Sequence, residues 1–170
     1  MSTLTNNLPV ANLSGYGIDH TDVPFLQLEM KDAVALIQDE TFNGILYFGF
    51  PGCPWCRAAV PILNEAAKET DTTIYYVDRS HGLRTETFKK WDLEMATWLD
   101  TQIFMKKMGD VPNIYVPQII HLKAGKVVDS QRSVFDKDSR DDRSLGVFDA
   151  HAQRELLNRY TAIFSQVSLG

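Results

Sequence analysis

The chain has 170 residues, 44% of them apolar and 11% aromatic, a composition that supports one domain with a sizeable core and excludes a disordered chain. The net charge is −5 and the pI about 5.3, so neither nucleic acid nor an anionic membrane is expected as a general electrostatic partner. No apolar run approaches the roughly 18 residues that cross a bilayer, and no membrane insertion is expected.

The N-terminal segment is polar and rich in Asn, Thr and Gly. We expect residues 1–24 to form a loosely ordered arm ahead of a single domain over residues 25–170. The start lacks the basic stretch and apolar core of a secretory signal peptide. Taken as a natural start, it predicts a cytoplasmic protein, whose thiols stay mostly reduced. A Cys-x-x-Cys pair in that compartment is more often catalytic or metal-binding than a structural disulfide.

Two elements are predicted ahead of the cysteines. From Leu28 onward the apolar residues follow helical spacing, and the dipeptide Asn43-Gly44 is expected to end that helix. The next six residues, 45–50, form a nearly continuous apolar run bounded by Gly and Pro. Such a run predicts a strand that is buried on both faces in the middle of a sheet.

The elements after the cysteines alternate in the same way. They are predicted as a helix over 54–70, a strand over 73–77, a long helix over 91–108, a hairpin over 118–128 and a helix over 150–166. Residues 132–146 carry four acids and four bases, which indicates a solvated loop. This order predicts a mixed sheet with helices on both faces.

Both cysteines lie in the sequence Cys53-Pro54-Trp55-Cys56, where the 54–70 helix is predicted to begin. Proline suits the first helical position, because its missing N–H had no partner there. Unpaired N–H groups and the helix dipole favour a thiolate at Cys53, and the thiolate is the attacking species. Cys56 lies one turn into the helix and can attack a mixed disulfide on Cys53. The spacing therefore predicts Cys53 as nucleophile and Cys56 as resolving residue.

The residues around this motif extend the pattern. Arg57 directly follows the second cysteine, and Pro61 stands five residues after that cysteine. Val116-Pro117 comes just before the predicted hairpin, whose turn at 124–127 reads Ala-Gly-Lys-Val. In these positions the chain resembles the thioredoxin superfamily, in which a basic residue follows the motif, a proline kinks the helix and a cis-proline lies against the active-site disulfide.

The resemblance covers residues 28–167 and implies an α/β, thioredoxin-like fold: a central mixed β-sheet flanked by helices, with a helical segment inserted before the cis-proline. It implies a thiol-disulfide oxidoreductase that acts on protein disulfides, with an unidentified electron donor and with neither a cofactor nor a metal. The CPWCR run, the following YYVD and the late proline are most similar to small thioredoxin-like proteins of Gram-positive bacteria, among them bacteriocin transport accessory proteins.

The resemblance also implies which residues contact the substrate. The backbone of Val116 is expected to hydrogen-bond an extended substrate segment, with Pro117 against the disulfide. Trp55 is expected to be exposed beside Cys53, as a flat apolar contact for a partner peptide. The alternative for Trp55, packing on the surface of the domain, stays open.

Three residues are expected to support the site, namely Pro54, Arg57 and Tyr47. Tyr47 is a departure from the family, because thioredoxins bury an aspartate at this position, six residues ahead of the first cysteine. We predict Tyr47 to be a core residue rather than a proton relay, with less efficient thioredoxin-type turnover as a consequence. Proline after the first cysteine is more similar to glutaredoxins, and it predicts a potential nearer −200 mV than the about −270 mV of thioredoxin.

Other interpretations remain open at this point. The chain could be a thioredoxin-fold interaction or accessory module with weak or no redox turnover, or a glutathione-dependent enzyme. The cysteines could be a pair of buried apolar residues, since free cysteine is often buried. A zinc site would need four ligands, and the four histidines lack paired spacing.

The connection between the second predicted strand and the proline is longer than in thioredoxins. The inserted segment, residues 79–110, carries His81, Arg84, Trp91 and Trp98. These side chains could shape a substrate groove or enlarge the core, and we predict the core.

Overall fold

A computed structural model describes residues 4–80, 85–103, 107–108, 111–132 and 148–169, with the backbone alone described at 107–108. Parts of the sequence predictions lie outside these ranges: the charged loop after position 132, and His81 and Arg84 of the inserted segment. Within the described part of the chain, no helix is long and apolar enough to cross a membrane.

The predicted mixed sheet with flanking helices is confirmed. Among the described residues, five strands form the main sheet in the spatial order β1 (Phe25–Gln27), β3 (Ile74–Asp78), β2 (Asn43–Gly49), β6 (Gln118–Lys123) and β7 (Lys126–Arg132). Strands β1, β3 and β2 run parallel, and β6 and β7 continue the sheet antiparallel. A separate short pair consists of β4 (Lys107–Met108) and β5 (Val111–Pro112).

Helices cover both faces of the sheet. They are α1 (Met30–Leu36), α2 (Pro54–Thr70), α3 (Glu86–Gln102) and α4 (Ala150–Val167). One apolar core lies under α2 and α4, and the other lies under α1 and α3. Because successive strand residues face opposite sides, Ile45 and Tyr47 enter the first core and Leu46 and Phe48 the second. Strand β2 is therefore buried on both faces, as its apolar run predicts.

The first helix ends earlier than predicted. It stops at Leu36, and Asn43-Gly44 begins β2 instead of ending the helix. The Asp39 carboxylate accepts hydrogen bonds from the N–H (2.9 Å) and the hydroxyl (2.6 Å) of Thr41, which fixes a turn between the two elements. An Asx turn of this kind competes with the helix for the backbone, and periodicity alone does not reveal it.

The long helix starts and ends about five residues earlier than predicted. Helix α3 begins after Thr85, whose hydroxyl accepts the N–H of Phe88 at 3.2 Å and caps the first turn. It ends at Gln102, and positions 107–108 are in β4. Strand β1 was not predicted, because three residues are too few to show a strand period.

Part of the segment expected to form a loosely ordered arm, residues 1–24, is packed against the domain. The N–H of Ala11 donates to the Phe25 carbonyl at 2.9 Å, which ties the segment to β1. Leu13 and Tyr16 are buried in the core under α2 and α4, together with Val23. The segment has no regular period, so its few apolar residues do not indicate burial by their spacing.

The predicted hairpin joins β6 and β7 through a two-residue turn. Ala124 and Gly125 both have positive φ, 52° and 77° respectively. Positive φ at both central residues matches the right-handed twist of the two strands, and glycine adopts it freely. The turn directs β7 back along β6, at the side of the sheet away from β1.

Candidate functional site

The two cysteines lie at the start of α2 and differ in exposure. Cys53 is the N-cap residue with extended backbone angles, and its Sγ accepts the N–H of Cys56 at 3.3 Å. Pro54 is the first helical residue, as predicted. Cys53 is partly exposed, whereas Cys56 is fully buried. An outside reactant can therefore reach one sulfur, and the other is available only from within the site.

The same geometry separates the acidities of the two thiols. The hydrogen bond from the Cys56 thiol, with the backbone N–H groups of Cys56 and Trp55, lowers the pKa of Cys53 to about 7, although partial burial opposes this. Burial raises the pKa of Cys56 well above that of a free thiol, and the hydrogen bond to Cys53 and the charge on Cys53 raise it further. Near neutral pH, Cys53 is thus partly thiolate while Cys56 keeps its proton.

The segment with the second predicted proline lies beside this motif. Gln118 pairs with Phe48 in the antiparallel register of β2 and β6. Val116 and Pro117 therefore come next to the end of β2 that leads into Cys53. The peptide bond between them is cis, and the Val116 side chain contacts both cores.

Trp55 is not the exposed contact that the sequence analysis expects. Only 8% of its surface is exposed, and its ring lies 4.9 Å from the ring of Phe148. Phe148 lies just before α4, so the contact between the two rings connects the start of α2 with the start of α4. The indole points inward because a large apolar ring gains more from burial than from solvent. The open alternative, packing against the domain, describes this residue better than substrate contact does.

Arg57 and Pro61 lie further along α2. The N–H of Arg57 donates to the Cys53 carbonyl at 3.0 Å, which closes the first turn of the helix. Its side chain is exposed. Arg57 therefore supports the cysteines through its backbone, and its charge lies on the surface near them. Pro61 lies inside the helix.

Tyr47 is a core residue, as the sequence predicts. It is fully buried, and its ring stacks on Tyr76 with centroids 5.4 Å apart and contacts Phe25 edge-on at 6.5 Å. Burial raises the pKa of Tyr47 well above that of a free phenol. Position 47 therefore carries a neutral hydroxyl and no charged carboxylate.

A buried arginine, Arg79, links the segments that surround the site. The sequence carries no signal for this role. The Arg79 guanidinium forms two 2.9 Å hydrogen bonds with the Asp92 carboxylate in α3 and one of 2.5 Å with the Ile114 carbonyl. The backbone N–H of Arg79 donates a hydrogen bond to the Gly49 carbonyl at 2.9 Å. Arg79 thereby connects the end of β2, helix α3 and the segment leading to Val116. A basic residue after a strand is too common to indicate such a role.

The described tryptophans of the inserted segment pack as core residues. Trp91 and Trp98 are partly buried and contact the core under α1 and α3. Trp91 also lines a surface groove together with Phe88, at the ends of β1 and β3. The prediction that the insert enlarges the core thus agrees with these two side chains, and Trp91 borders a groove as well.

Metal ligands are not clustered in the described part of the chain. No three of its His, Cys, Asp and Glu side chains are grouped to hold a metal ion. The His121 imidazole forms a 2.6 Å hydrogen bond with the Asn43 side chain, at the opposite end of β2 from the cysteines. The two sulfur atoms are therefore the reactive groups around which the site is built.

The sheet order, the Cys-x-x-Cys at the start of α2 and the cis-proline beside it together define a thioredoxin-like fold. Among solved structures, the chain is similar to oxidised thioredoxin O2 from Arabidopsis thaliana, with 17% identity over 69% of this chain and 89% of that chain and a TM-score of 0.45. For oxidised thioredoxin O1 from Arabidopsis thaliana the identity is 16%, the coverage 69% and 92%, and the TM-score 0.42. No family model and no curated protein matches the sequence.

Proposed function

We propose that the protein is a thiol-disulfide oxidoreductase that acts on protein disulfides. The observation that carries the proposal is the asymmetry of the two cysteines. Cys53 is partly exposed, with hydrogen bonds directed at its sulfur, whereas Cys56 is buried and protonated. A nucleophile and a resolving thiol need these opposite properties.

The reaction follows from these positions. The Cys53 thiolate attacks one sulfur of a substrate disulfide, and the other substrate sulfur leaves as a thiolate. Cys56 then attacks Cys53 Sγ, and its proton goes to the second departing substrate thiolate. The substrate disulfide gains two electrons, and the Cys53–Cys56 pair loses them. The reverse sequence oxidises a substrate dithiol, and a dithiol or disulfide donor completes either cycle.

The surroundings of Cys53 suit an extended polypeptide. Val116 lies beside the end of β2, where its backbone would pair with a substrate segment in the manner of an added strand. Burial of Trp55 removes it from this contact surface. A cytoplasmic location, and membership of the Gram-positive thioredoxin-like group, stay predictions from the sequence.

The redox equilibrium of the two cysteines against glutathione tests the proposal. Thiols are trapped by alkylation at each glutathione ratio and counted by mass. We expect one two-electron transition, with a midpoint between about −300 and −150 mV. The Cys56→Ser variant is the control, which we expect to stop at a mixed disulfide on Cys53. A wild-type protein that forms no Cys53–Cys56 disulfide at any ratio overturns the proposal.

A binding or accessory module is the second candidate, and one observation favours it. Tyr47 places no carboxylate in the strand beneath Cys56, so the usual proton acceptor of the family is missing there. Turnover separates the two candidates. An oxidoreductase accelerates reduction of a protein disulfide by a small dithiol, and Cys53→Ser abolishes the acceleration. A module binds its partner equally well with and without that substitution.

A further inference from the structure

Three tyrosines form a buried cluster next to the resolving cysteine. Tyr16 comes from the N-terminal segment, Tyr47 from β2 and Tyr76 from β3, and we call them the tyrosine cluster. The hydroxyls of Tyr16 and Tyr76 are hydrogen-bonded at 2.7 Å. The ring of Tyr76 meets Tyr16 edge-on at 6.0 Å and stacks on Tyr47. All three belong to the core that contains Cys56.

The ring of Tyr47 extends along β2 toward the cysteines. Its hydroxyl lies over Gly49, so closely that a methyl group at Gly49 would overlap it. Gly49 is the last residue of β2, four positions before Cys53. Tyr47 and Cys56 belong to the same core, so the hydroxyl lies on the face of the sheet that α2 covers.

The Tyr47 hydroxyl is buried and forms no hydrogen bond of normal geometry with the described residues, although the Tyr16 hydroxyl, already paired with Tyr76, lies near enough to raise the pKa of Tyr47. It nevertheless lies close enough to Cys56 to lower the pKa of that thiol, against the larger effect of burial. An unpaired buried hydroxyl destabilises the state that contains it, so a state that supplies a partner is favoured relative to it. A state with negative charge on the Cys56 sulfur would do so.

We propose that the Tyr47 hydroxyl donates a hydrogen bond to the Cys56 sulfur as that sulfur becomes anionic during disulfide exchange. The inference rests on the proposed function and adds a group to the same site. In resolution, the Cys56 sulfur attacks Cys53 Sγ, the bond from Cys53 to the substrate breaks, and the departing thiolate takes the Cys56 proton. In reduction, an incoming thiolate attacks Cys53 and Cys56 leaves as the anion. Tyr47 keeps its proton in both directions.

Two donors act on the Cys56 sulfur, the backbone N–H of Phe50 and the Tyr47 hydroxyl, and of these Tyr47 is the side chain that a substitution can remove. Burial raises the pKa of each cluster member and of Tyr160 in α4, so these phenols stay neutral at physiological pH. The carboxylate that acts on the cluster, Asp78, accepts hydrogen bonds from the N–H and hydroxyl of Ser80. A neutral donor suits this place, because it stabilises an anion without adding a buried charge.

Two-phase exchange with dithionitrobenzoate measures the step. One equivalent of reagent releases one thionitrobenzoate when Cys53 attacks and a second when Cys56 resolves the mixed disulfide. We expect Tyr47→Phe to slow the second release at least tenfold at pH 7, because a hydrogen bond to an anion is lost. The first release should stay within twofold of wild type, and the midpoint of the second phase should move to higher pH.

Tyr75→Phe is the matched control, since Tyr75 lies on the same sheet but contacts the core under α1 and α3. It should leave both phases unchanged. A second phase at the wild-type rate in folded Tyr47→Phe overturns the inference and leaves the proposed function standing. If the wild type itself releases no second equivalent, the proposed function fails, and the inference with it. Should Tyr47→Phe not fold, Gly49→Ala displaces the hydroxyl without removing it; an unchanged second phase there also overturns the inference.

Discussion

At the scale of single residues, the acidity of Cys53 comes from hydrogen bonds. The Cys56 thiol makes the largest contribution, and the backbone N–H groups of Cys56 and Trp55 add to it. The guanidinium of Arg57 is exposed, although it directly follows the motif. The helix start therefore supplies the stabilisation of the thiolate, and the second cysteine acts on the first even before any disulfide forms.

Substitution of Cys56 tests this dependence. In the wild type, the rate of Cys53 alkylation by iodoacetamide should rise with pH with a midpoint near 7. The rate is low at acidic pH, because protonation removes the reactive thiolate. Cys56→Ala removes the thiol donor, so the midpoint should move up toward about 8.5, the value of a free cysteine. Cys56→Ser keeps a donor and should retain a lower midpoint than Cys56→Ala. Equal midpoints in the two variants would contradict the role of the side-chain donor.

At the scale of elements, the site depends on segments that the motif does not contain. Helix α2 carries both cysteines, but the end of β2 and the segment around Val116 come from other parts of the chain. Arg79 connects these segments to α3 through four hydrogen bonds. The side chains of Arg79 and Asp92 are only 10% and 18% exposed, so the pair is shielded from solvent.

Removal of this guanidinium should loosen both the fold and the site. Arg79→Met leaves the Asp92 carboxylate and the Ile114 carbonyl without their donor, and breaking a buried pair costs about 3 kcal/mol of unfolding free energy. Urea denaturation measures this change. The control is Lys89→Met, which breaks an exposed pair with Glu86 and should change stability by less than about 0.5 kcal/mol. A similar loss of unfolding free energy in the two variants would contradict the stabilising role of Arg79.

Local sequence patterns predicted the elements near the cysteines well. The apolar run of β2, Pro54 at the start of α2 and the glycine turn of the hairpin each depend on neighbouring residues alone. The sequence misled, or gave no signal, where a distant partner decides the outcome. Trp55 is buried because Phe148 lies against it, and Arg79 is buried because Asp92 pairs with it. No short window of sequence contains both members of either pair.

At the scale of the whole molecule, the N-terminal segment completes the core beneath the active-site helix. It pairs with β1 near Ala11 and places Leu13 and Tyr16 against the residues of α2 and α4. The Tyr16 hydroxyl is also hydrogen-bonded to the Tyr76 hydroxyl. The folded unit is therefore larger than the 28–167 range over which the sequence resembles thioredoxins.

Substitutions in this segment distinguish a packed segment from a loose arm. Leu13 is 1% exposed, so Leu13→Ala should lower the free energy of unfolding by about 3 kcal/mol through lost burial and a residual cavity. Val10 is 49% exposed, and Val10→Ala should change it by less than about 0.5 kcal/mol. Thermal or urea unfolding measures both variants. A negligible change in the free energy of unfolding for Leu13→Ala would indicate that the segment is a loose arm.

The close approach of Tyr47 to Gly49 has an evolutionary consequence. The last position of β2 can gain a side chain only if the residue two positions earlier becomes smaller, because both compete for one volume beneath the helix start. We therefore expect the two positions to co-vary among descendants of this chain. A lineage that acquires a short carboxylate in place of Tyr47 would also become free to replace Gly49.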